Sequence, residues 1–173
     1  MGYFCCTLHQ KVLKFGGKGN VYGIDPECPK ESTCYKKAFA EKIPFKANTF
    51  DTIVAGEIVE HLVKPNPFFA EARRVLKKEG VIIITTPNKD SLLNRLFKNN
   101  VVPLHFFLFN TKILENMLKR NGFEIVEFVY LPYTMESSPG SNKPWLFKMR
   151  YILNIFLPNK LRENLVVCAR KIN

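Results

Sequence analysis

The sequence contains no Cys-x-x-Cys pair, and its five cysteines (Cys5, Cys6, Cys28, Cys34, Cys168) form an odd set. That pattern argues against a disulfide framework and against a cysteine-rich zinc site. The thiols are expected to be small buried or half-buried residues. No apolar run approaches the ~18 residues that a membrane span needs. Low-complexity tracts and internal repeats are absent as well. The first residues lack the basic segment, long apolar segment and small-residue cleavage site of a secretory signal, so a cytoplasmic location is the default expectation. Acidic residues are few, with 15 Asp and Glu against 26 Lys and Arg, for a net charge of +11. Such an excess favours acidic partners: nucleic acid, anionic lipid or a phosphorylated substrate. The basic residues are spread along the chain and select none of these. RNA fits the charge, but no nucleic-acid-binding module is recognisable.

What is present is the composition of an ordinary α/β protein, 46% hydrophobic and 24% charged, in 173 residues that form one expected domain, 1–173. Short apolar strands alternate with amphipathic helices, which predicts a mainly parallel sheet covered on both faces. A first helix is expected over about 4–15, ended by Gly16 and Gly17. A strand follows at Val21 to Ile24, ending at Asp25-Pro26, and another at Phe50 to Ala55. The next helix has Asn66 as its cap, Pro67 in its first turn, an apolar stripe of Phe68, Phe69, Ala72, Val75 and Leu76, and Lys77 and Lys78 near its end. Gly80 should stop it. Val81 to Ile84, apolar on both faces, reads as a central strand. A helix from Asn110 or Thr111 to Asn121, ended by Gly122, precedes strands at 123–130 and 165–169. The expected order is α-β-(β)-β-α-β-α-β-β with an antiparallel finish.

Two sets of residues carry chemistry. Asp25 follows an apolar strand, where a carboxylate can accept hydrogen bonds from both hydroxyls of a ribose; an aspartate before proline is equally a turn opener. More specific is a run beginning Ile43-Pro44-Phe45 and Asn48-Thr49-Phe50-Asp51. It continues after a strand with Gly56-Glu57-Ile58-Val59-Glu60-His61-Leu62, then Arg73 to Lys77, Gly80, and a strand ending Thr86-Pro87-Asn88. This run resembles the central part of class I S-adenosylmethionine-dependent methyltransferases of the broad type 11, ubiquinone-pathway-like group. The ending, from His105-Phe106 through Gly122 to Val126 and then Asn164 to Lys171, is similar to that fold's last helix and antiparallel strand pair.

The resemblance implies a Rossmann-like sheet, S-adenosylmethionine as methyl donor, and a donor site of Gly2, Asp25, Pro26, Phe39, Ala40, Ala55, Gly56 and Glu57. Asp25 would bind the donor's ribose. Where the family often has an aspartate reading the adenine amino group, this chain has Phe39 or Ala40, and Phe39 would either stack on adenine or belong to the core. Small residues at Ala55 and Gly56 allow close approach of the donor's methionine end. Glu57 and His61 are the implied catalytic pair, with His61 as a candidate general base. Glu57, Glu60 and His61 are spaced to face one point on a helical turn, and His105 is the candidate fourth ligand for a divalent metal such as Mg²⁺. The alternative is that Glu60 and His61 only cap and orient their loop. His9 is expected to be structural or at the surface.

The family's first strand and most of its glycine-rich turn are missing from the sequence, with Gly2 placed as the last glycine of that turn. Gly16-Gly17-Lys18-Gly19 stands on the wrong side of the first helix to replace it. The sheet is therefore expected without its first strand, between the strands ending at Asp25 and Ala55. Three consequences are open: a truncated product with an impaired donor site, direct pairing of the two neighbouring strands, or completion by a second polypeptide. Segments 89–109 and 137–162 are expected lids over the acceptor site. Within the second, 143–162 mixes basic and aromatic residues and would either lie on an anionic membrane or pack on the sheet edge with a basic outer face. A small-molecule, glycan or lipid-linked acceptor suits the lids. The competing classes are a nicotinamide-binding Rossmann domain and a non-catalytic remnant acting as a binding module.

Overall fold

The computed structural model describes residues 12, 14, 16, 20–27, 31, 32, 34–96, 105–132 and 144–172, without the side chains of residues 144, 146, 147 and 154. Its strands are β1 (Gly23–Asp25), β2 (Tyr35–Lys37), β3 (Phe50–Gly56), β4 (Leu76–Pro87), β5 (Phe123–Leu131) and β6 (Asn164–Lys171). Its helices are α1 (Pro65–Val75), α2 (Leu92–Leu96), α3 (Thr111–Arg120) and α4 (Pro144–Phe156), with 3-10 turns at Val59–His61 and Asn159–Leu161. Of the first expected helix, residues 12, 14 and 16 are described and helical, so it reaches at least Gly16.

The strands form two sheets. One has the order β3-β4-β6-β5; the other is the parallel pair β1-β2. β3 and β4 are parallel, while β4–β6 and β5–β6 are antiparallel, so the α/β class and the antiparallel finish are both found. Alternation along β4 buries Ile82 and Ile84, and β6 buries Leu165, Val167 and Ala169 from the neighbouring position. Phe68, Phe69 and Ala72 of α1 and Leu114 and Leu118 of α3 close over them. Among the described residues, β1 and β3 share no strand pairing, so direct pairing of these two neighbours, one of the three expected outcomes, does not occur. Just before β1, Tyr22 packs on Phe45 and on Phe50 at the start of β3, with ring centroids 5.4 and 5.8 Å apart.

The α1 boundaries differ from the expectation at both ends. The N-cap is Lys64, without a side-chain cap bond, and Pro65 takes the first turn, where its missing N–H costs nothing. Asn66 is inside the helix. The helix stops at Val75 because Leu76 is drawn into the sheet opposite Phe50, and the next register pair in this direction is Thr52 with Val81. Lys77, Lys78 and Gly80 thus belong to an irregular stretch of β4, not to the helix. Lys77 Nζ reaches both oxygens of Asp51 at 2.9 Å instead of complementing a helix end. A side chain at Gly80 would meet backbone oxygens of Lys77 and Asp51 at 3.0 and 3.2 Å, which is why glycine stands in this bulge. α3 agrees closely with expectation: the Asn110 side chain accepts from Ile113 N at 3.0 Å, and Gly122 follows with φ +79. Among the described residues, no helix is long and apolar enough to cross a membrane.

Candidate functional site

β3 ends in small residues, buried Ala55 and half-buried Gly56, and the chain then turns sharply at Glu57 with φ +52. A left-handed conformation at a residue with a Cβ costs about 1–2 kcal/mol, so the surrounding contacts must hold it. They are Glu57 N–H donating to Thr85 O at 3.0 Å and to its Oγ1 at 3.2 Å. Glu57, Glu60 and His61 are therefore not on one helical turn as expected. Glu57 precedes the turn, and only Glu60 and His61 lie in it.

The turn buries Val59 and Glu60. The Glu60 backbone oxygen accepts from Phe106 N at 2.8 Å, which ties the segment beginning at His105 across the turn. His61 and His105 consequently meet edge to face, 4.8 Å between ring centroids. One ligand atom from each of Glu60, His61 and His105 lies within 4.8 Å of the others. His105, chosen in the sequence only by position, is thus brought to the site. Glu57 is outside this metal-type group.

Glu60 Oε2 accepts from Thr86 Oγ1 at 3.1 Å, while Glu60 Oε1 and His105 Nδ1 are buried without a hydrogen-bond partner. Burial, and then the like charge of Glu57, pushes the Glu60 carboxyl up to about 8. Glu57 is also raised, chiefly because surrounding protein displaces water from its carboxyl, although the residue as a whole stands at the exposed rim. Burial lowers His105, with His61 adding repulsion, which favours the neutral imidazole. A neutral imidazole offers a divalent cation a lone pair, and binding such an ion would displace the proton that burial keeps on Glu60. The donor set fits such an ion. Thr85 and Thr86, which orient the two carboxylates, were missed in the sequence; their only signal was their place at the carboxyl end of an apolar strand.

Asp25 is buried at the carboxyl end of β1. Its Oδ1 accepts from Glu27 N at 2.7 Å, so the turn role is real, and its backbone oxygen receives Ala38 N at 3.3 Å. One bond to Oδ1 leaves capacity on the carboxylate for a ligand hydroxyl. Pro26 is exposed beside it. Phe39 is 67% exposed and is not a core residue, whereas Ala40 packs partly buried against the core. Gly2 and His9 lie outside the described residues. A groove lined by Arg73, Arg74, Lys119, Arg120 and Lys171 lies beside β6's final residues, and several of its cations are already engaged: Arg74 with Glu71, Lys119 with Glu115, Lys171 with Leu76 O.

Residues 2–128 match the family model described as a methyltransferase domain. The chain is 31% identical over 94 residues to a protein of Methanocaldococcus jannaschii, covering 52% of this chain and 46% of that protein. It is 29% identical over 144 residues to the mitochondrial ubiquinone biosynthesis O-methyltransferase of Homo sapiens, covering 66% of this chain and 39% of that enzyme. The chain thus spans less than half the length of either relative. In fold it is similar to the crystal structure of an S-adenosylmethionine-dependent methyltransferase from Archaeoglobus fulgidus, with TM-score 0.65 and 19% identity over 94% of this chain and 80% of that one. The nicotinamide-binding alternative finds no support in these likenesses. A match over well more than half of the chain, on a sheet with the antiparallel finish described above, establishes that the chain belongs to the methyltransferase-domain family, of the class I S-adenosylmethionine-dependent type.

Proposed function

We propose that this chain takes part in methyl transfer from S-adenosylmethionine to a hydroxyl of a small-molecule, glycan or lipid-linked acceptor presented at the Glu57, Glu60, His61 and His105 cluster. The observation that carries this reading is the buried Glu60 carboxyl group, one oxygen of which lacks a hydrogen-bond partner, beside two imidazoles just past the carboxyl end of β3. The human relative named above is an O-methyltransferase by description, which fits an acceptor oxygen at such a cluster. Bound here, S-adenosylmethionine supplies an electrophilic methyl group on a sulfonium. Asp25 accepts hydrogen bonds from the donor's ribose, Phe39 offers an exposed ring for its base, and Ala55 and Gly56 let it approach the backbone. His61 takes the acceptor's proton as the new O–CH₃ bond forms and the S–CH₃ bond breaks. Glu60, His61 and His105 would hold a divalent cation, whose positive charge would ease loss of that proton. Such an ion on His61 would occupy the lone pair that otherwise takes the proton, so these two roles of His61 are alternatives.

The donor must span Asp25 and Gly56, which stand on two sheets without mutual strand pairing among the described residues. Ordering the two sheets against each other is charged to binding, so the isolated chain holds the donor weakly. Calorimetric titration with S-adenosylmethionine tests this. The expected affinity is weaker than about micromolar, and Asp25→Asn lowers it by a further ~10-fold or more through loss of charge-assisted bonds. Tight binding would refute the weak-donor reading, and equal binding by Asp25→Asn would refute the ribose role. Manganese titration followed by electron paramagnetic resonance tests the cation: Glu60→Gln and His105→Ala should each lose it.

A further inference from the structure

The expectation that residues 143–162 pack on the sheet edge with a basic outer face is corrected by α4. Its Trp145, Met149, Ile152, Leu153, Ile155 and Phe156 are all exposed, Phe156 to 81% and Trp145 to 61%. Trp145, Met149, Ile152 and Phe156 recur at helical spacing and form one stripe. Arg150 points away from that stripe and is buried in an ion pair with the fully buried Glu163. The helix is therefore pinned to the protein by a charge and turns its apolar side to solvent, the reverse of a core helix.

The same junction fixes where the helix sits. Asn88, directly after β4, donates to Lys160 O and Arg162 O at 2.9 and 2.7 Å, and Asn94 of α2 donates to Glu163 O at 2.8 Å. α2 adds Leu92 and Leu96, both exposed. α2 and α4 thus converge just beyond the end of β4, the strand end where Thr85 anchors the Glu57 backbone and Thr86 donates to the Glu60 carboxyl.

We propose that the outer face of α4, with exposed leucines of α2 beside it, docks on an anionic lipid membrane surface. Charge selects this occupant over a second copy. Within the helix Lys148 is exposed and Arg150 is neutralised by buried Glu163, the only acid from residue 137 onward, while exposed Lys160 follows in the adjoining turn. Two such faces would repel one another, whereas anionic headgroups attract each basic residue near the surface. Length agrees as well: 13 helical residues reach about 20 Å, too short to cross a bilayer core of roughly 30 Å but suited to lying in its interface. Lys148, exposed within the apolar face, can extend its ammonium to the headgroups while its stem stays with the lipid tails. Taken with the methyl-transfer reading, on which this one clause rests, the acceptor is lipid-borne and enters from the bilayer beside the cluster.

Trp145 is the sole tryptophan, so its fluorescence reports on α4 alone. The full chain is mixed with vesicles of phosphatidylcholine and of phosphatidylcholine with phosphatidylserine, and bound protein is also measured by flotation. The expected result is blue-shifted emission, quenched by brominated acyl chains, with the serine-containing vesicles. Ile152→Glu combined with Phe156→Glu should abolish binding with an unchanged circular dichroism spectrum. Lys148→Glu should weaken it about fivefold or more. Equal binding to neutral vesicles, no binding to either, or a concentration-dependent dimer broken by the same double substitution would each overturn the proposal. S-adenosylmethionine titration of the parent chain separates the two readings: vesicle binding without any donor binding leaves membrane docking standing and removes only the acceptor clause.

Discussion

The two sheets of this molecule differ in what holds them. In the four-stranded sheet, α1 and α3 bury whole aromatic and aliphatic side chains, among them Phe69, Phe123, Ile82 and Leu114, which are fully inaccessible. In the β1-β2 pair only Asp25 is buried, and the remaining positions are half-buried or exposed. The larger sheet has committed most of its groups to the fold, and its site residues are crowded and desolvated as a result. The smaller sheet keeps its carboxylate and the neighbouring Phe39 available to a ligand at little cost to the core.

That contrast predicts where substitutions act. Phe69→Ala should remove about 3–5 kcal/mol from global stability in urea unfolding, since it deletes a fully buried ring. Ile24→Ala, in half-buried β1, should cost no more than about 1 kcal/mol. Similar losses at both positions would mean that the two sheets fold as one cooperative core, and the comparison would fail.

A second test concerns charge in the larger sheet's site. Glu60 keeps its proton up to about pH 8, against an ordinary 4.5. Within that window the folded state binds a proton that the unfolded state releases. Its contribution is therefore fully present below the lower value and lost as pH rises through the upper one. In chelator, stability should fall across the window with a slope of at most ~1.4 kcal/mol per pH unit, and Glu60→Gln should flatten the profile. A pH profile unaltered by that substitution would place the titrating group elsewhere.

The smallest effect is expected at Glu57. Replacing it with glycine removes the left-handed strain and a desolvated carboxyl, offset by greater freedom of the unfolded chain. A net gain of under about 1 kcal/mol in thermal unfolding is expected. A clear loss would show that the carboxylate, not the backbone turn, holds this corner together.

Much of the fold was legible because local signals agreed. The Asn110 cap, the α3 stripe and Gly122 are written within a dozen residues and appear as expected. The end of α1 was misread because it depends on a partner: Lys77, Lys78 and Gly80 look like a helix terminus until Phe50 captures Leu76 into the sheet. At the site, the spacing of Glu57, Glu60 and His61 suggested a helical turn. A strained backbone at Glu57 and the crossing of the 105–107 segment redistributed the roles, admitting His105 to the group and leaving Glu57 out.

By itself the sequence determined the α/β class and the antiparallel finish, because hydrophobic period and turn chemistry act over a few neighbouring residues. Only the tertiary structure decided which of the site residues meet, how far Glu60 is removed from water, and that α4 turns its apolar side outward. Each of these depends on contacts between segments tens of residues apart, such as Glu60 with Phe106 and Asn88 with Arg162, and on burial, which a linear pattern does not encode.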